Sequence, residues 1–227
     1  YSGSASFVGV FAGVSVEGLN CGRYLAVAPV SGLSFAPTAF VFVASEYSDD
    51  IKYYDATGAY LGHLTSTDLD GPRDVLFGPD GWIYVSSYNN DRILRFSATT
   101  GAYEGTPFVP GPFGSGGLQG PEGLAFGPND GFLYVASNRG NQILRYAVYP
   151  APWRGIPINP PFVDFGGSPS LIAPRGIAFG PDGNLYVSAP SGVFRYDGAT
   201  GAFLEVFTSG GPLSGPADLV FGPDGTL

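Results

Sequence analysis

The chain of 227 residues has no methionine, one lysine, one histidine and one cysteine. Each shortage closes off some chemistry. A single thiol, Cys21, cannot form a disulfide within the chain, and no sequence signature supplies the activating base that a nucleophile needs. A catalytic reading needs a base, and the one imidazole, His63, stands in Leu61-Gly62-His63-Leu64, where it reads as an exposed or half-buried strand residue. Charged residues make up only 13% of the chain, with a formal net charge of −9. No basic stripe exists to displace counterions from phosphates, so nucleic acid is not an expected partner. An anionic membrane surface would repel the chain for the same reason. No apolar run approaches the ~20 residues that span a bilayer. No Asn-x-Ser/Thr sequon occurs. Residues 1–13 lack an initiator methionine and a charged leader segment, as expected of a processed or partial chain. The composition, rich in Gly, Ser, Thr and Tyr, points to a secreted or cell-surface location.

What the chain does have is 36 glycines and 21 prolines at fixed places between apolar runs. The phrase Phe-Gly-Pro-Asp-Gly begins at Phe77, Phe179 and Phe221, and recurs with one insertion at Phe126. With Phe35 of Gly-Leu-Ser-Phe, the register positions 35, 77, 126, 179 and 221 are spaced by 42, 49, 53 and 42 residues. Pro sets φ near −65° and Gly takes a positive φ, so each phrase reverses the chain cheaply. A short apolar strand precedes each turn (74–77, 123–126, 176–179, 218–221) and a β-rich run follows (82–87, 132–137, 184–189). A third strand (92–96, 142–146, 192–196) and a Thr-Gly turn then lead to a fourth, such as 203–207. Several short strands per unit of 40–50 residues predict an all-β chain, a β-propeller of four-stranded antiparallel blades.

Complete blades are expected at about 33–64, 71–109, 120–165 and 173–208, with partial blades at 7–12 and 215–227, all in one domain over 1–227. The blade at 33–64 is degenerate, because Pro37-Thr38-Ala39 has lost the Asp-Gly. Residues 14–32 read as an elaborated link or a small extra strand. Residues 147–161 are a Pro-rich insertion, with Tyr149 and Trp153 as candidate contact residues.

The stretches at 120–146 and 174–201 carry a resemblance to NHL-repeat β-propellers and to the streptogramin B lyase and gluconolactonase/regucalcin propellers. That resemblance implies a six-bladed ring, with five blades as the alternative, and hence an incomplete stretch of ring in this chain. Where the family often has Asp after the second strand, this chain has Ser87, Ser137 and Ala189. The lyase resemblance implies channel histidines, and no histidine here matches them. The lactonase resemblance implies a Glu/Asn/Asp metal site, for which Glu122, Asn138 and Asp218 are the matching residue types.

Propeller sites lie at the axial channel, where the inner strands supply Arg73-Asp74, Glu122-Gly123, Arg175-Gly176 and Ala217-Asp218, and nearby loops add Asn89, Asn90, Asn138 and Asn141. These oxygens could hold Ca²⁺, although Arg175 in the same ring would repel it. Asp74, Arg175 and Asn89 are the candidate binding residues there. The third-strand cations Lys52, Arg95, Arg145 and Arg195 recur once per blade and suit stems buried between blades with paired heads. The expected function is a non-enzymatic extracellular binding or assembly module, with a protein partner or self-association through open strand edges. A metal-dependent lactonase, hydrolase or lyase is the alternative. Glycan binding through Trp82 and Trp153 is a further one.

Overall fold

The computed structural model describes residues 22–27, 33, 36, 38–111, 114–128, 130–149, 154–164, 171–209, 213–222 and 224–227. Cys21, Phe35, Trp153 and the segment 7–12 lie outside the described residues. The described residues form fourteen strands and a single three-residue helical turn, Glu46–Ser48.

Four antiparallel sheets follow one another along the chain. The first has Gly22–Val27 (β1), Ala39–Ser45 (β2), Asp50–Asp55 (β3) and Tyr60–Thr65 (β4) in sequence order. The second has Pro72–Phe77 (β5), Trp82–Ser87 (β6) and Arg92–Ser97 (β7), and the third Pro121–Phe126 (β8), Phe132–Ser137 (β9) and Gln142–Ala147 (β10). Ile177–Phe179 (β11), Leu185–Ala189 (β12), Gly192–Tyr196 (β13) and Phe203–Thr208 (β14) make the fourth. In the second and third sheets the outer position is held by isolated bridges, Ile93 to Val109 and Phe96 to Tyr103, then Ile143 to Val163 and Tyr146 to Pro157.

The start of the first sheet corrects the sequence reading. Its inner strand is Gly22–Val27, inside the stretch 14–32 that reads as a link or small extra strand; of Gly-Leu-Ser-Phe only Leu33 is described, in an isolated bridge to Ala36. Val27 pairs with Val41 as Phe77 pairs with Ile83. Gly-Leu-Ser-Phe copies the apolar spacing of an inner strand. Between β1 and β2 the inner place is already taken, so the copy is left in an enlarged connection. At the other end, Asp218–Phe221 forms no strand, but the turn after it is made: the Gly222 amide donates to the Thr226 carbonyl at 2.7 Å, as Gly78 does to Trp82.

The core lies in the seams between consecutive sheets. Phe42, Ile51, Val75, Ile83 and Phe96 fill the first seam. Tyr84, Ile93, Leu124, Leu133 and Tyr146 fill the second, and Tyr134, Ile143, Ile177, Leu185 and Phe194 the third. One ring contact repeats at every seam. Phe42 packs edge-on against Phe77, Tyr84 against Phe126, Tyr134 against Phe179 and Tyr186 against Phe221, all with centroids 4.9–5.3 Å apart. The Phe of each turn phrase is therefore the plug that seats one sheet on the sheet before it. Each such ring contributes roughly 1.5–3 kcal/mol by burial.

Inner strands of consecutive sheets touch one another. The approach is closest at Gly123 and Gly176, whose amides donate to the carbonyls of Arg175 and Ala217, both at 2.9 Å. A Cβ on Gly123 would stand 2.5 Å from the Arg175 carbonyl oxygen, and one on Gly176 would stand 2.7 Å from the Asp218 Cα. Only glycine allows that spacing.

Candidate functional site

Two polar systems are built on this frame. The first lies where the inner strands begin and the second strands end. Equivalent positions after β2, β6, β9 and β12 hold Glu46, Tyr88, Asn138 and Pro190. Equivalent positions on the inner strands hold Arg73, Glu122, Arg175 and Ala217. The Arg73 guanidinium is 2.7 Å from Glu46 of the first sheet and 3.9 Å from Glu122 of the third. It stacks over the Tyr88 ring at 4.2 Å, and Arg139 packs against the same ring at 4.8 Å. The Tyr88 hydroxyl donates to the Asn138 amide oxygen at 3.3 Å, and the Asn138 amide donates to the Pro174 carbonyl at 3.1 Å. Glu46, Arg73, Tyr88 and Asn138 thus form a continuous polar thread that reaches from the first sheet to the fourth.

Asp74 lies beside this thread. Its carboxylate accepts the amides of Val75 at 2.7 Å and of Leu124, on the next sheet, at 2.8 Å. Burial pushes the carboxyl up to about 8, the charge of Asp218 adds to the rise, and the two amides oppose it. Asp74 as a residue keeps some surface open, but the strands packed around its carboxylate make the position a buried one electrostatically. Asp218 is exposed and accepts the Leu219 amide at 2.8 Å. Arg175 donates to the Gly215 carbonyl at 3.2 Å. Asn89 turns outward to Asp70 at 2.8 Å, and Tyr149 is exposed.

The second system repeats inside the second, third and fourth sheets. The Asp of the turn phrase accepts the hydroxyl of the second-strand Tyr: Tyr84 to Asp80 and Tyr134 to Asp130 at 2.7 Å, Tyr186 to Asp182 at 3.1 Å. The third-strand cation closes the group. Arg95 lies 3.4 Å from Asp80 and forks onto Glu104, and Arg195 is 3.6 Å from Asp182 and 2.9 Å from Glu205. Burial disfavours the Arg95 charge, but hydrogen bonds to Glu104 and Tyr84 outweigh it and move its pKa up. Lys52 pairs with Asp50 at 2.7 Å. His63 is exposed on β4 and bonds Tyr60 at 2.8 Å.

No protein-family model and no curated protein matches the sequence. Solved structures do. A gluconolactonase from Xanthomonas campestris superposes with a TM-score of 0.69 at 18% identity, over 92% of this chain and 68% of that one. A nidogen/laminin complex gives 0.67 at 16%, over 88% of this chain and 68% of that one. A catalytically inactive virginiamycin B lyase from Staphylococcus aureus, with quinupristin, gives 0.61 at 20%, over 87% and 58%. The chain is a β-propeller. At these identities the likeness is one of fold, and the chain spans less than two thirds of the lyase's length.

Of the residues expected to bind metal, Asp218 is exposed and, among the described residues, accepts only the Leu219 amide. Glu122 lies beside the Arg73 cation, and the Asn138 amide is hydrogen-bonded at both ends. Among the described residues no group of three or more His, Cys, Asp and Glu side chains is placed to hold a metal ion. Glu46, Tyr88 and Arg139 are the axial residues that the sequence reading passed over. Aligning Val-Ala-Ser-Glu, Val-Ser-Ser-Tyr and Val-Ala-Ser-Asn at the ends of β2, β6 and β9 would have found the first two.

Proposed function

We propose that this propeller is a non-enzymatic, extracellular binding and assembly module that engages protein through the open face of its fourth blade. One observation carries the reading. Phe108, Phe162 and Phe207 make the same edge-on contact with the second-strand Tyr of their own blades, at 4.9–5.2 Å. Phe108 and Phe162 are 6% and 5% exposed, because the next blade covers them, whereas Phe207 is 43% exposed. Leu204 and Val206 on the same outer strand are 45% and 43% exposed, and Val220 beside the seam is 77% exposed. β14 also ends the strand order of its sheet. Such an apolar face, with a strand edge that no other described strand pairs, is a template for pairing.

The test is light scattering across a concentration series, with Leu204→Lys and Val206→Lys as paired variants. Association that rises with concentration and is lost in both variants is the expected result. A compact monomer at every concentration would count against self-assembly. A longer form of the chain that buries Phe207 and stays monomeric would assign the face to closure within one molecule.

The lactonase-like reading has one observation in its favour, a carboxyl on the axial side whose pKa lies near neutrality, Asp74. Metal analysis of the purified protein and a lactone-hydrolysis assay with added Ca²⁺ test it. A lack of both a stoichiometric ion and turnover would remove it.

A further inference from the structure

We propose that Arg145, on the third blade, is the base of a carboxylate-binding socket. The site is separate from both the axial thread and the open face of the fourth blade. Its design is visible in the second blade. There Arg95 sits among the rings of Trp82, Tyr84 and Phe108, at 4.6, 5.6 and 4.9 Å, and presents its Nε and Nη2 edge to Glu104. Glu104 is the outer-strand residue whose amide donates to the Arg95 carbonyl at 3.0 Å. The fourth blade repeats the pairing with Glu205 directly opposite Arg195. In the first blade His63 stands opposite Lys52, and the carboxylate comes instead from Asp50.

The third blade keeps the cage and omits the acid. Arg145 lies 5.6 Å from the Phe132 ring and 5.2 Å from Phe162, and its charge partly offsets the burial that raises the pKa of the Tyr134 hydroxyl. Its outer-strand partner, by the same backbone bond at 2.9 Å, is Ile158. Arg145 forms no salt bridge among the described residues, and its Nε is buried without a hydrogen-bond partner. The Nε groups of Arg73, Arg92 and Arg195 are also bare, but each of those guanidiniums has a carboxylate on another nitrogen. Arg145 is half-buried, whereas Arg95 beneath its carboxylate is 2% exposed. The bare edge is the one that Glu104 fills on Arg95. The Arg145 Nε is closed to solvent, so a planar carboxylate reaches it as the covering side chains yield, and then pairs by two parallel N–H···O bonds between aromatic faces. The ligand is therefore a carboxylate, from an acidic side chain of a protein or from a small free acid.

The experiment follows the Nε–Hε resonances of the arginines by NMR during titration with sodium acetate, with sodium chloride as the ionic-strength control. A second titration uses a capped glutamate-rich peptide. Acetate is expected to move the Arg145 signal and leave Arg95 in place. Ile158→Glu, which supplies the missing acid internally, should weaken the acetate response by about tenfold or more. Ile158→Gln, which adds no charge, should keep it. A peptide that acts at lower carboxylate concentration than acetate assigns the socket to a protein side chain, and equal potency assigns it to a small acid. An Arg145 signal that does not respond to either, or that moves no more than Arg95, overturns the proposal. Should Ile158→Glu not fold, acetate-dependent shifts of the Tyr134 and Phe162 backbone amides that persist undiminished in Arg145→Gln would overturn it equally.

Discussion

The first and second blades occupy adjacent places in one architecture and solve the same packing problem with different chemistry. In the second, Asp80, Tyr84, Arg95 and Glu104 form one buried group. In the first, the equivalent positions hold Thr38, Phe42, Lys52 and His63. The changes go together. Without an acid in the turn, a second-strand hydroxyl would have nothing to donate to, and the position is Phe. Without that hydroxyl and acid, the cation shortens to Lys52 and takes a carboxylate from its own strand. The ring contact to the next blade survives unchanged, at 5.2 Å against 5.3 Å. Apolar seam packing is therefore the constant of this fold, and the polar group behind it is optional but must be kept or replaced whole.

The largest effect is expected from breaking the second blade's group while leaving its acids in place. Arg95→Met leaves Asp80 with only the Tyr84 hydroxyl and the Trp82 amide, and Glu104 with only the more exposed Arg154, and should cost about 3–5 kcal/mol by urea unfolding. Lys52→Met should cost about half as much, because Asp50 keeps the Ser48 hydroxyl at 2.7 Å. Equal losses in the two variants would end the contrast.

The hydroxyl exchange sharpens it. Phe42→Tyr places a buried hydroxyl with no acid in the turn, and should destabilise by about 1–3 kcal/mol. Tyr84→Phe removes two bonds, one donated to Asp80 and one accepted from Arg95, but leaves Asp80 beside Arg95, for a loss of about 1–2 kcal/mol.

A third difference is set by pH. Asp74 belongs to the second blade, and Tyr24 holds its register position in the first. Because the folded carboxyl titrates near 8, above its unfolded value of 3.8, the folded state binds the extra proton between those limits. Its contribution is full below about pH 4 and is lost as the pH rises towards 8. The urea midpoint should fall across that window in the native chain and fall less in Asp74→Asn.

The smallest effect concerns the clamps at the left-handed residues before the third strands. Asp49 accepts the Gly71 amide and Asp91 the Gly120 amide, both at 2.7 Å, each tying one blade to the start of the next. Asp49→Ala should cost about 1 kcal/mol, and Asp91→Ala a little more, because Asp91 also pairs with Arg139. A larger loss for Asp49→Ala would show that the first blade's departure extends beyond its turn.

Much of this was legible in the residues. The Pro-Asp-Gly phrases, the β-rich runs and the Thr-Gly turns placed the strands at 82–87, 132–137 and 192–196 as they stand, since turn chemistry and period-two burial are local properties. They also pointed to third-strand cations with paired heads, which Lys52, Arg95 and Arg195 have. The inner strand of the first blade was misplaced, because Gly-Leu-Ser-Phe and Gly-Arg-Tyr-Leu-Ala-Val both satisfy the local pattern and only pairing with β2 chooses between them. The thread of Glu46, Arg73, Tyr88 and Asn138 was hidden for the same reason, since it joins residues of different blades. The sequence by itself determined where the chain turns and which residues face a seam. The tertiary structure alone decided which strand fills the inner place, which charges cancel, and which guanidinium is left without an acid, because those outcomes depend on contacts between blades that no local pattern encodes.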